Sequence, residues 1–105
     1  MVIIETSTFT RQVQKLLSDE EYKQLQSELI NRPDIGPVIP GSGGLRKVRW
    51  SYRGRGKRGG VRVIYYWVVS YDRLLMLLIY PKNMQDDLSP IQLKMLRQIV
   101  EDEYP

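Results

Sequence analysis

Residues 41–83 read GSGGLRKVRWSYRGRGKRGGVRVIYYWVVSYDRLLMLLIYPKN. Between Leu45 and Arg62 stand eight cations: Arg46, Lys47, Arg49, Arg53, Arg55, Lys57, Arg58 and Arg62. No Asp or Glu occurs between Asp34 and Asp72, so half of the chain's 16 Lys and Arg lie in one acid-free run. Two apolar segments follow at once, Val61 to Val69 and Leu74 to Tyr80. Continuous apolar runs of this length suit strands covered on both faces. The combination is a cationic surface mounted on a rigid sheet. Such a surface suits a polyanion, and phosphate chains are the commonest biological one.

Leu45 to Tyr52 alternates. Val48, Trp50 and Tyr52 fall on one face with Arg46, while Lys47, Arg49 and Ser51 fall on the other with Leu45. Strict alternation predicts a half-buried strand. Arg53 to Gly60 reads as a cationic hairpin loop, and Ser70 to Arg73 as a tight connection. Arg62 is the one charge within its strand, on the face of Ile64 and Tyr66. The GxGxxG pattern over Gly54 to Gly59 is no dinucleotide site, because that motif follows a strand and opens a helix, whereas this one precedes a strand. Of the aromatics, Tyr65 and Trp67 read as core, and Trp50 and Tyr52 as partly exposed candidates for base stacking.

Upstream, Val2 to Glu5 suits a short strand. A helix is predicted over Phe9 to Leu17, with Phe9, Val13, Leu16 and Leu17 inward. Ser18 to Glu21 is a capping box that starts a second helix, with Tyr22, Leu25, Leu29 and Ile30 inward and Pro33 at its end. Residues 31–44 are rich in Pro and Gly and read as a surface loop from helices to sheet. Downstream, Ser89 to Gln92 is a second capping box with Pro at the first helical position. Ile91, Met95, Leu96, Ile99 and Val100 mark one apolar face of a last helix. Its acidic end opposes the helix dipole and is expected to fray.

The chain has 105 residues, a net charge of +4 and 42% hydrophobic residues, which indicates one globular domain over 1–105. It has neither cysteine nor histidine. Thiol chemistry and the usual general base are therefore excluded, and no cofactor or metal is expected. The first residues lack a signal peptide's basic and apolar regions, and the longest apolar run is too short to span a bilayer. The reading is a soluble cytoplasmic protein with no membrane partner.

The order of parts resembles the RelE superfamily of bacterial toxins, and within it the HigB-like branch. The resemblance rests on Gly43-Gly44-Leu45-Arg46-Lys47-Val48-Arg49, on residues 56–66 (GKRGGVRVIYY), and on Leu78-Ile79-Tyr80-Pro81-Lys82-Asn83. It implies an α+β microbial RNase fold: a twisted, mainly antiparallel sheet with an N-terminal helical hairpin and a C-terminal helix. It also implies the toxin of a type II toxin–antitoxin pair, a ribosome-dependent mRNA endonuclease that inhibits translation without a metal. The implied partners are the ribosome, mRNA and a HigA-like antitoxin with a helix-turn-helix DNA-binding domain.

By motif, the family's basic pair falls on Lys47 and Arg49, its phosphate-binding arginine on Arg62, and the cation ending its last strand on Lys82, with Asn83 beside it. Arg46, Arg53, Arg55, Lys57 and Arg58 are then expected to contact RNA or the ribosome. The late tyrosine of the RelE branch has no counterpart between Pro81 and Asp102, and the histidines of some HigB proteins are absent. Cleavage would proceed by attack of an RNA 2′-hydroxyl on the adjacent phosphorus. Clustered cations stabilise the added charge, and a lysine crowded by like charges gives up its proton more readily. Lys47, between Arg49 and Arg62, is the expected base. The competing reading of Arg62 is a structural ion pair with an acid from a helix. The competing functions are a non-catalytic ParE-like gyrase inhibitor on the same scaffold and a plain RNA- or ribosome-binding module.

Overall fold

A computed structural model describes residues 1–51 and 60–105. The expected loop cations Arg53, Arg55, Lys57 and Arg58, and Tyr52, lie outside the described residues. The order of elements is β1 (Val2–Glu5), α1 (Ser7–Leu16), α2 (Asp19–Asn31), β2 (Arg46–Trp50), β3 (Val61–Val68), β4 (Arg73–Pro81) and α3 (Pro90–Glu103), with a 3-10 turn at Val69–Tyr71.

The four strands form one sheet in the order β1-β4-β3-β2. β2 with β3 and β3 with β4 are antiparallel, while β1 lies parallel to β4. The register of β3 on β4 shifts between Ile64 and Tyr65, a bulge in an otherwise regular ladder. Both faces of the central strands are covered, which is why β3 and β4 are apolar at nearly every position. On one face Val48, Val63, Tyr65, Leu74, Met76 and Ile79 meet Phe9 and Val13 of α1 and Leu25 and Leu29 of α2. On the other, Leu45, Ile64, Leu75, Leu77 and Tyr80 meet Leu96 and Val100 of α3. Burying one such side chain stabilises the fold by about 1.5–3 kcal/mol.

The helix boundaries follow their caps. The Thr6 side chain accepts from the Phe9 N–H, and both Ser18 and Ser89 head complete capping boxes. Two expectations about helix faces are corrected. Ile30 is 44% exposed, because it lies a further 100° around α2 from Leu29, past the buried stripe. Ile91, Met95 and Ile99 are 73%, 61% and 37% exposed. α3 meets the sheet along a narrow line through Leu93, Leu96 and Val100, so the apolar residues beside that line stay outside. The acidic end of α3 stays helical through Glu103, where the Tyr104 N–H donates to the Val100 carbonyl. Tyr104 also lies against the Tyr71 ring and accepts from Arg73 at 3.4 Å, which brings a cation to that acidic end.

The Pro- and Gly-rich connector is the surface loop expected, and it is held along its length. It runs beside β2 and bridges it at Val38 and Arg46. The Lys47 N–H donates to Pro37 and the Ile39 N–H to Leu45. The buried Tyr65 hydroxyl accepts from the Gly36 N–H at 3.0 Å and donates to the Pro33 carbonyl at 2.6 Å. Gly36 suits that close approach, since a Cβ there would stand 3.0 Å from the Lys47 carbonyl carbon and oxygen and push that backbone aside. The Ser42 hydroxyl donates to Ile39, and Arg97 of α3 reaches the Gly41 carbonyl. The connector is thus an arm held from three sides.

Candidate functional site

Alternation along β2 puts Lys47 and Arg49 on one face, two residues or about 7 Å apart. Pairing then brings the third cation in. Arg49 stands opposite Arg62 on β3, and Arg62 opposite Tyr80 on β4. Lys47 stands opposite Ile64, which is opposite Leu78. Lys47, Arg49 and Arg62 therefore share the α3 side of the sheet at the end nearest the start of α3.

Their environments differ. Arg49 is exposed and Lys47 half-buried, whereas Arg62 is only 4% exposed. A buried guanidinium needs compensation. Asp86 supplies part of it, with Oδ1 3.3 Å from an Arg62 terminal nitrogen. The ion pair of the competing reading of Arg62 is thus present, but the acid comes from the segment before α3 and not from a helix. Arg62 Nε has no hydrogen-bond partner among the described residues. A buried donor left unpaired is costly.

Lys47 is held in the same way. Its Nζ lies 2.6 Å from Asp87 Oδ1. That hydrogen bond and charge hold the Asp87 carboxyl below its ordinary range, with smaller contributions from Arg49 and Arg62. Two adjacent acids thus neutralise two of the three cations.

The segment carrying these acids is fixed. The Tyr80 hydroxyl donates to the Asp86 carbonyl at 3.0 Å. Gln85 donates to the Asp87 carbonyl and to Gln92, the residue that closes the capping box of α3. Burial, followed by Asp87, raises the Tyr80 phenol above its ordinary range. It therefore stays a hydrogen-bond donor at neutral pH.

The other expected residues are placed as follows. Arg46 points to the opposite face, where it donates to the Gly36 carbonyl at 2.8 Å and more weakly to Asp34. It holds the connector arm. Lys82 and Asn83 are exposed just beyond the end of β4, where the Lys82 N–H donates to the Gly60 carbonyl. That places them at the same end of the sheet as Arg62 and Tyr80. Trp50 is half-buried against the helical hairpin, on the face away from the three cations. Sequence reading missed Asp86, Asp87 and Tyr80. A detectable signal was there: Asp86-Asp87 is an acid pair between the end of β4 and a capping box, where a short turn returns the chain toward the strand ends.

No protein-family model matches the chain. Several solved structures share its fold, and three of them are of the E. coli RelE system. The E. coli RelE toxin in the intact RelBE toxin–antitoxin complex superposes with a TM-score of 0.59 at 17% identity, covering 76% of this chain and 94% of that one. The isolated E. coli RelE toxin gives 0.58 at 16% identity, covering 93% and 97%. A mutant of E. coli RelE in the free state gives 0.58 at 15% identity, covering 81% and 86%. The α+β architecture is that of RelE, as expected from the sequence.

Proposed function

We propose that the chain is the toxin of a type II toxin–antitoxin pair, of the HigB-like branch, and that it cleaves mRNA on the ribosome. The observation that carries the reading is the set of three cations on adjacent strands, Lys47, Arg49 and Arg62, two of which are held by the chain's own carboxylates. Strand-mounted charge is pre-organised, and pre-organised charge is what stabilises a phosphorane-like transition state. The RelE fold supports the reading from a separate side.

In this mechanism the RNA phosphate displaces Asp86 and Asp87 and binds between the cations. Lys47, parted from Asp87 and having given one proton to solvent, accepts the proton of the 2′-hydroxyl as its oxygen attacks the adjacent phosphorus, and so becomes the cation beside the phosphate. The bond to the 5′-oxygen breaks, leaving a 2′,3′-cyclic phosphate and a 5′-hydroxyl once that oxygen gains a proton. Arg62 and Arg49 stabilise the extra negative charge, and Lys82 adds to the field. The partner is a small antitoxin whose acidic segment covers this surface or keeps the toxin from the ribosome. A HigA-like, helix-turn-helix antitoxin accompanies the HigB-like assignment, and the protein acts in the cytoplasm. No helix among the described residues is long and apolar enough to cross a membrane.

The test is to induce the protein alone and map mRNA 5′ ends. Growth arrest with cuts inside translated codons is expected, reversed by the neighbouring antitoxin. A DNA-damage response without cuts would favour a gyrase inhibitor. Undiminished incorporation of labelled amino acids would remove translation as the target.

A further inference from the structure

A cavity of about 350 Å³ opens beside Lys47, between the connector arm and the start of α3. Val38 and Ile39 form one wall and Leu88 and Leu93 the other, with Pro37 and Pro40 at the ends of the arm. The Lys47–Asp87 pair forms the polar part of the lining. Its location matters, since this is also the cation that the mechanism gives to the reacting phosphate.

The walls are built to hold a shape. The arm is tied to β2 by the Lys47 and Ile39 amides, to the sheet face by Tyr65, and to α3 by Arg97. The opposite wall follows a segment fixed by Gln85, Tyr80 and the Ser89 cap. Apart from Lys47, the lining side chains are short or branched. A cavity of this volume with fixed apolar walls and few polar groups suits a small, largely apolar body that it can bury at little entropic cost.

The polar lining narrows the occupant further. Lys47 offers a cation, which suits a phosphate. Asp87 offers an acceptor with lone pairs to spare, since a carboxylate holds about four and Lys47 engages one oxygen. A ligand with an anionic end, a small, largely apolar body and N–H donors on that body satisfies all three features. A nucleotide with an amino-bearing base has that description, and a carboxylate is a natural acceptor for such an amino group. Guanine presents two adjacent N–H groups on one edge, so it gains most.

We propose that this cavity is a nucleobase subsite: it receives the base next to the phosphate bound at Lys47, and Asp87 selects amino-bearing bases, guanine above all. The inference rests on the RNA-cleaving reading of the three cations and adds to it a site of base choice. It gives Asp87 two tasks, holding Lys47 in the free protein and accepting from the base in the complex.

The experiment is a nuclear magnetic resonance titration of the ¹⁵N-labelled protein with GMP, UMP and ribose 5-phosphate. GMP is expected to shift the amides of Val38, Ile39 and Leu93, whereas ribose 5-phosphate shifts only those around Lys47 and Arg62. Val38 is half-exposed, so Val38→Trp fills the mouth without disturbing the core. Circular dichroism checks its fold. The variant is expected to weaken GMP at least tenfold and leave ribose 5-phosphate unchanged. Asp87→Asn is expected to reduce the preference for GMP over UMP several-fold. Identical shift patterns for GMP and ribose 5-phosphate would overturn the subsite, as would GMP affinity unaltered in folded Val38→Trp. Selective filling by N-acetylphenylalaninamide but not GMP would overturn it in favour of a partner's side chain. The two readings fail separately. Base-dependent shifts with no cleavage on ribosomes would remove the endonuclease, and cleavage with no base-dependent shifts would remove the subsite.

Discussion

Arg49 and Arg62 stand directly opposite each other across β2 and β3. Like charges in that position destabilise a sheet, and cross-strand pairs are worth about 0.2–1 kcal/mol either way. Among the described residues no hydrogen bond or ion pair holds Arg49, which is exposed. Arg49→Thr is therefore expected to raise stability by up to about 1 kcal/mol while lowering RNA cleavage. Urea denaturation beside a cleavage assay measures both, and a less stable, fully active variant would contradict the expectation.

Arg62→Ala, and to a similar degree Lys47→Ala, should reduce cleavage on the order of 100-fold or more. Ribosome binding should survive. Neutralising Lys57 and Arg58 should instead weaken binding and reduce its salt dependence, with cleavage recovered at high concentration. Single-turnover cleavage on programmed ribosomes, run beside a binding assay, separates the two. Folded Arg62→Ala with wild-type cleavage at saturation would take Arg62 out of the site.

Replacing both Asp86 and Asp87 by Asn should tighten binding to single-stranded RNA, because two carboxylates no longer compete with phosphate for Arg62 and Lys47. The salt dependence of binding should steepen as well, since more cations become available to phosphate. Fluorescence anisotropy with a labelled oligonucleotide between low and physiological salt reads both effects. Unchanged affinity would show that the acids do not occlude the cations in solution.

Tyr65→Phe removes the hydroxyl that links the sheet to Gly36 and Pro33. Two arm groups lose their partner, and a cost of about 1–3 kcal/mol is expected. Amide exchange should rise along residues 34–40 more than in β3 itself. Uniform destabilisation without local exchange would assign the hydroxyl no part in holding the arm.

Burial raises the phenols of Tyr22, Tyr65 and Tyr80, for Tyr22 with help from the Glu5 carboxylate it donates to. The unfolded chain therefore loses these protons first as pH rises. Their stabilisation is full below about pH 10, the ordinary tyrosine value, and falls above it. Ultraviolet titration should show late-ionising tyrosines whose release coincides with unfolding. Simple titration of all tyrosines near pH 10 would exclude this.

What could be read from sequence was whatever is periodic or local. The alternation over β2, the apolar runs of β3 and β4 and the two serine capping boxes each depend on spacing within a few residues, and each element lies where that spacing puts it. Lys47 and Arg49 could be assigned to one face for the same reason. What brings Arg62 opposite Arg49 is strand register, which no local pattern states. Asp86 and Asp87 reach their cations through the turn after β4 and the Tyr80 hydroxyl, contacts made across the sheet. Arg46 was legible in the same way as Lys47: its charge resembles that of its neighbours, but alternation along the strand puts it on the other face. On α3 the apolar periodicity was real, yet the width of the stripe that the sheet covers is a property of the packing, so Ile91 and Met95 stayed outside.

The parallel pairing of β1 with β4 has a bearing on synthesis. Val2 meets Arg73 and Glu5 meets Met76, so the first strand waits for a partner made about two-thirds of the chain later. Contacts of such separation form late and slowly. A chain whose translation stops before β4 carries the cations of β2 and β3 without the strand that backs them or the acids that hold them. An incomplete product is thus a basic, unfolded peptide, and under the proposed function the machinery that this protein attacks must finish making it first.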